Sequence, residues 1–244
     1  MPETKAAAAS RLSGFLQRVV VMRSDALANP ARAQVVLSLK AWQAARLART
    51  YPDLLASQRY RDAALFFLEE LYGARDYSQR DGEVARILPK LTAMLPAAAL
   101  STIADAVELD ALSEQMDLEL VSHLDQTLPG ALTEEAYARA YRQGANRPAR
   151  EHQIALTRHI GDALDGLTRM PLLEGTLKLM RGPARLAGLG NLQSFLERGF
   201  GAFKRMRGAE PFLNAVETRE TLLMNRLFAG MENPFAGLAE LAIS

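Results

Sequence analysis

An all-α fold is what this sequence predicts, and three observations predict it. The commonest residues, alanine, leucine, arginine and glutamate, are strong helix formers, whereas β-branched residues are sparse. Apolar side chains recur at three- and four-residue spacing along most of the chain, and no segment alternates apolar and polar residues between hairpin turns. At 244 residues, 49% of them hydrophobic and 23% charged, the chain is long and apolar enough to bury a sizeable core. The expected architecture is a soluble globular bundle of about eight to nine helices. One helical domain over residues 1–244 is expected, with a soft division near 127–147 and an irregular tail over 230–244.

The elements follow in order. Leu12, Phe15, Leu16, Val19 and Met22 give a first amphipathic helix from about Ser10 to Leu27. Asn29-Pro30 ends it and opens a second, running to about Thr50, because proline fits the first helical turn. Trp42, the one tryptophan, sits on that helix and reads as a core or subunit-contact residue. Tyr51-Pro52-Asp53 is a turn. The densest apolar stretch follows, Tyr60 to Gly73, YRDAALFFLEELYG, whose apolar arc is wide enough to pack on more than one neighbour. Gly73 suits the left-handed position that closes a helix, and Ser78 with Asp81 reads as a capping box for the next.

Leu95-Pro96 opens a long helix to about Leu124, with Leu109, Leu112, Met116, Leu120 and His123 on one face and the acids mostly outside it. Thr133 caps a helix carrying Tyr137 and Tyr141, and Arg147-Pro148 begins another with Gln153, Leu156 and Ile160 on one face. Short helices with close backbone approaches are expected where glycine is dense, Gly175 to Gly208. A last helix spans about Pro211 to Ala229. SFLERGFG at Ser194–Gly201 echoes FFLEELYG at Phe66–Gly73, over too short a span to define a repeat.

Charge is polarised although the net value is only +1. Between Leu91 and Ala138 lie nine acids and no lysine or arginine, and between Lys178 and Arg207 lie seven bases against Glu197 alone. The absence of cysteine excludes disulfides, thiolate metal sites and cysteine nucleophiles, and fits a cytoplasmic address. No apolar run reaches the roughly 18 residues of a membrane span. No P-loop, nucleophile elbow, HExxH, dinucleotide fingerprint or nucleic-acid reader motif occurs, so no catalytic residue and no cofactor are assigned and no nucleic-acid partner is expected.

Three clusters are candidates for chemistry. Glu70, Tyr72, Arg75, Asp76, Arg80 and Asp81 gather polar and ionisable groups around the turn after the central stretch, and read first as a helix-cap and salt-bridge network. Glu119 and His123, one helical turn apart, could share a metal ion with His152 or His159, although the repeated Glu-x-x-His of bundle metal sites is missing. Arg198, Lys204, Arg205 and Arg207 surround an apolar face and offer an anion site or a peripheral membrane contact, or else a basic face for the chain's own acidic helix.

FFLEELYG with Arg75, Asp76 and Arg80-Asp81, and the later LMRGPARLAGLGNLQSFLERGF, resemble an uncharacterised family of bacterial proteins that carry an FFLEELY motif. The resemblance implies a bacterial cytosolic protein and carries over no functional residue. The leading expectation is a non-enzymatic protein acting through contacts with itself or another protein. The alternative is a small-molecule or metal-binding bundle, or an enzyme, with a site between helices near His123, His152, Glu70 and Tyr72.

Overall fold

The computed structural model describes residues 3–71, 88–89, 92, 95–124, 132–186 and 190–241. Among them the chain is all-α, with ten helices and no strand. These are α1 (Lys5–Leu27), α2 (Pro30–Thr50), α3 (Pro52–Ala56), α4 (Arg61–Phe66), α5 (Ala97–Ser122), α6 (Glu134–Gly144), α7 (Arg147–Thr168), α8 (Leu173–Leu186), α9 (Gly190–Met206) and α10 (Glu210–Phe228). Among the described residues no helix is long and apolar enough to cross a membrane.

The helix starts follow the sequence closely, since short polar side chains satisfy the orphan amides of a first turn. Asn29 accepts from Arg32 N at 3.1 Å, Thr133 from Ala136 N at 3.2 Å, and Asn146 from Ala149 N at 3.2 Å. The first helix begins five residues earlier than its apolar spacing indicates, because Thr4 caps it through Ala7 N. The glycine-dense segment forms two full helices, α8 and α9, and Pro183 is accommodated inside α8.

α5 is the spine, packed against α1, α2, α6 and α7. Here the structure departs from the expected face. Asp105, Glu114 and Asp117 are buried alongside Leu109, Met116 and Leu120, while His123 is exposed at the helix end. The acids go inward because bases on neighbouring helices meet them, and a buried charge persists only when paired or hydrogen-bonded. Arg23 donates to Asp110 Oδ1 at 2.7 Å and to Glu114 Oε2 at 3.2 Å, Lys40 Nζ reaches the same Glu114 oxygen at 2.7 Å, and Arg11 pairs with Asp105. The acidic helix is therefore met by α1 and α2. The basic segment instead finds local acids: Arg181 with Glu197, Lys178 and Lys204 with Glu174, and Arg205 with Asp62. Two lysines beside Glu174 hold its carboxyl down at about 2.

The central stretch is not one regular helix. After Phe66 the chain widens into a π-helical turn, Phe67–Leu71, in which each closed backbone ring holds one extra residue. Consecutive aromatic side chains thereby both turn inward. Phe66 packs on Phe195 of α9, with ring centroids 5.2 Å apart, while Phe67 packs on Phe203 and Phe212. Gly199 allows the first contact, because a Cβ there would stand 2.8 Å from the Phe66 ring. The two stretches that echo each other in sequence thus touch.

Among the described residues four apolar clusters form, and two of them matter for the site. One joins Leu47, Leu54, Ala64, Phe203 and Phe212, and the other joins Leu39, Leu120, Tyr137, Tyr141 and Leu227. Trp42 stacks on Tyr137 at 4.2 Å and meets Phe235 edge-on at 5.7 Å, so the single tryptophan fastens residues after α10 to α2. Those residues run through turns, with Leu238 fully packed, and Arg219 holds them from α10. Its Nη1 and Nη2 each lie 2.7 Å from an Asp53 oxygen, Nη1 also donates to Thr50 O at 3.0 Å, and Nη2 donates to Leu241 O.

Candidate functional site

Two helices carry the same polar residue types in core register. Gln43, Arg46 and Thr50 stand at i, i+3 and i+7 on α2, and Arg150, Gln153 and Thr157 stand at i, i+3 and i+7 on α7. That spacing places each triplet on one helix face, so burying the helix carries its polar groups inward. α5 contributes Ser113 and Asp117, α6 contributes Tyr137 and Tyr141, and α10 contributes Glu217 and Glu220. All but Thr50 share the wall of a cavity of about 120 Å³ whose lining draws on both of these apolar clusters, with Leu54, Ala64, Phe67, Leu68 and Phe212 among its apolar members.

Most of the polar wall is closed by internal bonds. Arg46 Nη1 and Tyr51 Oη both donate to Glu220 Oε1, at 2.6 and 2.7 Å. Gln43 Nε2 donates to Asp117 Oδ1 at 2.9 Å, and Gln153 Nε2 donates to Ser113 Oγ at 2.8 Å. Arg158 donates to Glu217 at 3.2 Å and to Asp162 at 2.9 Å.

Arg150 is the exception. It is only 7% exposed, its guanidinium lies 4.9 Å from the centre of the Tyr141 ring, and its Nη1 donates to Gln153 Oε1 at 3.1 Å. Among the described residues its Nε and Nη2 have no hydrogen-bond partner although buried, and the same holds for Nε of Arg46. Among the described residues no carboxylate pairs with Arg150. A buried cation in that condition is costly, because desolvation is not repaid by a contacting charge.

The wall's titration follows from burial. Burial pushes the Asp117 carboxyl up, against the charges of Lys40 and Arg150 and the Gln43 hydrogen bond, and with the charge of Glu114. Burial likewise raises the Tyr137 and Tyr141 hydroxyls, so both remain protonated at neutral pH. Burial presses the Arg46 guanidinium down, but Glu220, with Tyr137 and Tyr51 beside it, outweighs that and holds the group above its ordinary value. A raised carboxyl makes the folded state hold a proton that the unfolded chain releases. Stability then falls as pH climbs from the ordinary aspartate value through the folded one. Asp117→Asn keeps an acceptor for Gln43 and removes this fall. Thermal melts from pH 4 to 8 should show a flatter profile and a higher neutral-pH melting temperature for the variant, whereas parallel profiles would place the shift elsewhere.

The residues singled out from sequence lie apart from this cavity or outside the description. Tyr72, Arg75, Asp76, Arg80, Asp81 and the Ser78 cap lie outside the described residues, as does the side chain of Glu70. His123 sits over Gly144 at the end of α6, one turn beyond Glu119. His152 Nε2 meets Glu108 Oε1 at 3.0 Å, and His159 Nε2 lies 3.5 Å from Asp105 Oδ2, both rings being exposed. The structure does not bring these four together, and among the described residues no three His, Cys, Asp or Glu side chains gather as a metal ion would need. Lys204, Arg205 and Arg207 line a groove between α8 and α9 that also holds Glu174 and Glu197, and Arg198 is exposed nearby.

The cavity residues escaped the sequence reading because Arg46 reads as a surface residue lying its stem along the core. The signal was the polar triplet repeated in core register on two helices.

A family described as a domain of unknown function, DUF8198, matches residues 22–234, a span that takes in the whole cavity wall. No curated protein and no solved structure matches the chain.

Proposed function

We propose that this chain, which belongs to the DUF8198 family, binds a small molecule in the cavity enclosed by α2, α4, α5, α6, α7 and α10. The observation that carries the reading is a buried cavity with an arginine in its wall that has two unpartnered donors. Ligand pockets are mostly apolar enclosures with a few convergent polar groups, and this wall has that composition. The FFLEELY stretch enters through Phe67 and Leu68, which the π-helical turn presents to the cavity. As part of the same proposal, the protein works in a bacterial cytoplasm, on the cysteine-free sequence and the motif likeness.

The test is a thermal-shift screen of ring-sized acids, amides, alcohols and amines, followed by amide chemical shifts. At least one class should raise the melting temperature with concentration, as any ligand selective for the folded state does. The shifted amides should lie on the cavity helices, and Ala64→Leu, which fills space at the wall, should abolish the effect. Shifts confined to the outer surface, or no stabilisation by any class, would overturn the reading.

A second reading, contact with another copy of the chain, is supported at α8. Leu179 and Leu186 of α8 are 80% and 93% exposed, and their seven-residue spacing sets them in one stripe, with Leu172, 86% exposed, in the turn just before the helix. Gly175 and Gly182 lie beside the stripe and leave room for the leucines of a facing helix. Leu172 also holds a left-handed backbone, φ 74°, which is strained for a leucine. We expect the sedimentation coefficient to rise with protein concentration and Leu179→Glu to remove the rise. A concentration-independent monomer would end this reading.

A further inference from the structure

We propose that the cavity takes a monocarboxylic acid with a small apolar body, and that Arg150 is the anchor for its carboxylate. This rests on the cavity-binding reading above and narrows it to one ligand class.

The argument begins with the shape of the vacancy in bonding. Nε and Nη2 lie along the same edge of a guanidinium, and their two N–H groups form the side-on fork that a carboxylate engages with both oxygens. In Arg150 that edge is the unpartnered one, while Nη1, on the other side, is committed to Gln153. Arg219 shows what this chain does with a guanidinium that has a protein partner: two nitrogens meet the two oxygens of Asp53 at 2.7 Å each. Arg150 is also buried and lacks such a partner among the described residues.

Charge limits the ligand to one negative group. Of the three arginines in the wall, Arg46 is matched by Glu220 and Arg158 by Glu217 and Asp162. Arg150 alone of the three has no contacting carboxylate among the described residues, although its charge is felt at Asp117, and Glu217 and Glu220 would repel a second anionic group. A dianion such as a phosphate monoester would therefore bring more charge than the wall can neutralise. Tyr137 and Tyr141 remain protonated, and the Tyr141 ring lies against the Arg150 guanidinium.

Volume limits the rest of the molecule. A cavity near 150 Å³ holds a benzene-sized molecule, and at about 120 Å³ this one is smaller, which limits the body to a short aliphatic chain or at most one ring. Ala64, Phe67, Leu68 and Phe212 give that body an apolar bed.

The test compares benzoate, butyrate and hexanoate with benzamide, benzyl alcohol and hexylamine, by calorimetry and thermal shift on the full chain at fixed salt. Acids should bind at least tenfold more tightly than their neutral or cationic counterparts, and inorganic phosphate should not compete. Arg150→Met should weaken the acids by about 100-fold and Arg150→Lys by about tenfold, since lysine keeps the charge without the fork. The ligand-free melting temperature of Arg150→Met should be unchanged or higher, which a merely structural arginine would not give. Equal binding of amides and acids overturns the carboxylate class and leaves cavity binding standing. No binding of any compound overturns both. Should Arg150→Met fail to fold, the comparison of acids with their isosteres in the unaltered protein decides.

Discussion

Arg219→Ala should lower the unfolding free energy by about 2–3 kcal/mol, because the guanidinium is fully buried while Asp53, 31% exposed, leaves water partial access to the carboxylate it strands. Arg219 is 1% exposed and holds three separate parts of the chain: the Asp53 carboxylate, the Thr50 carbonyl that ends α2, and the Leu241 carbonyl. Alanine leaves all three acceptors short of a donor and opens a void under Tyr51, whose ring lies 5.4 Å from the guanidinium. Urea unfolding should show a lower midpoint at unchanged slope. A loss under about 1 kcal/mol would mean that water replaces these bonds at little cost. The acid limb carries a second signature. Burial raises the Asp53 carboxyl, but the hydrogen bonds and charge of Arg219 outweigh it and hold the group below its ordinary value. The stability this supplies is present above the ordinary aspartate value and is lost as pH falls through the folded one. Arg219→Ala should accordingly be less sensitive to acid between about pH 4 and pH 2 than the unaltered protein.

Gly161→Ala should cost about 1–3 kcal/mol despite the better helix propensity of alanine. Gly161 is buried on α7 where α10 crosses it, and an added Cβ would stand 2.3 Å from Leu213 Cδ2 and 2.9 Å from Cδ1. Leu213 is itself fully buried, so its side chain has little room to withdraw. Leu213→Ala alone should also destabilise, by opening a void. The double variant should be more stable than the sum of the two single losses implies, with a coupling of about 1 kcal/mol or more. Strict additivity would show that α7 and α10 separate slightly to absorb the methyl group.

What was legible in the sequence was whatever depends on local chemistry. Asn29, Thr133 and Asn146 cap their helices because a short polar side chain reaches the third amide with no help from tertiary structure. Leu12, Leu16, Leu120 and Ile160 are buried because periodicity alone puts them on inner faces. What was illegible depends on partners far away in the chain. Asp105, Glu114 and Asp117 look like a solvated acidic face until Arg11, Arg23, Lys40 and Gln43 are placed against them. Arg150 reads as an ordinary first-turn base, and its isolation follows only from which side chains surround it. The widened turn at Phe67–Leu71 has no sequence code of its own beyond two consecutive phenylalanines, each of which finds an aromatic partner on α9 or α10.

The clasp made by Arg219 also has a temporal side. Its partners Asp53 and Thr50 lie 166 and 169 residues earlier in the chain. A ribosome exposes the corner between α2 and α3 long before it delivers the guanidinium that locks it. Closing so wide a loop is entropically expensive, and contacts of this separation tend to form after local helices and their nearest packing partners. The clasp then belongs to the downhill side of the folding barrier, so removing Arg219 should speed unfolding while leaving the refolding rate nearly unchanged in stopped-flow traces. A matching slowdown in refolding would instead put the corner inside the nucleus.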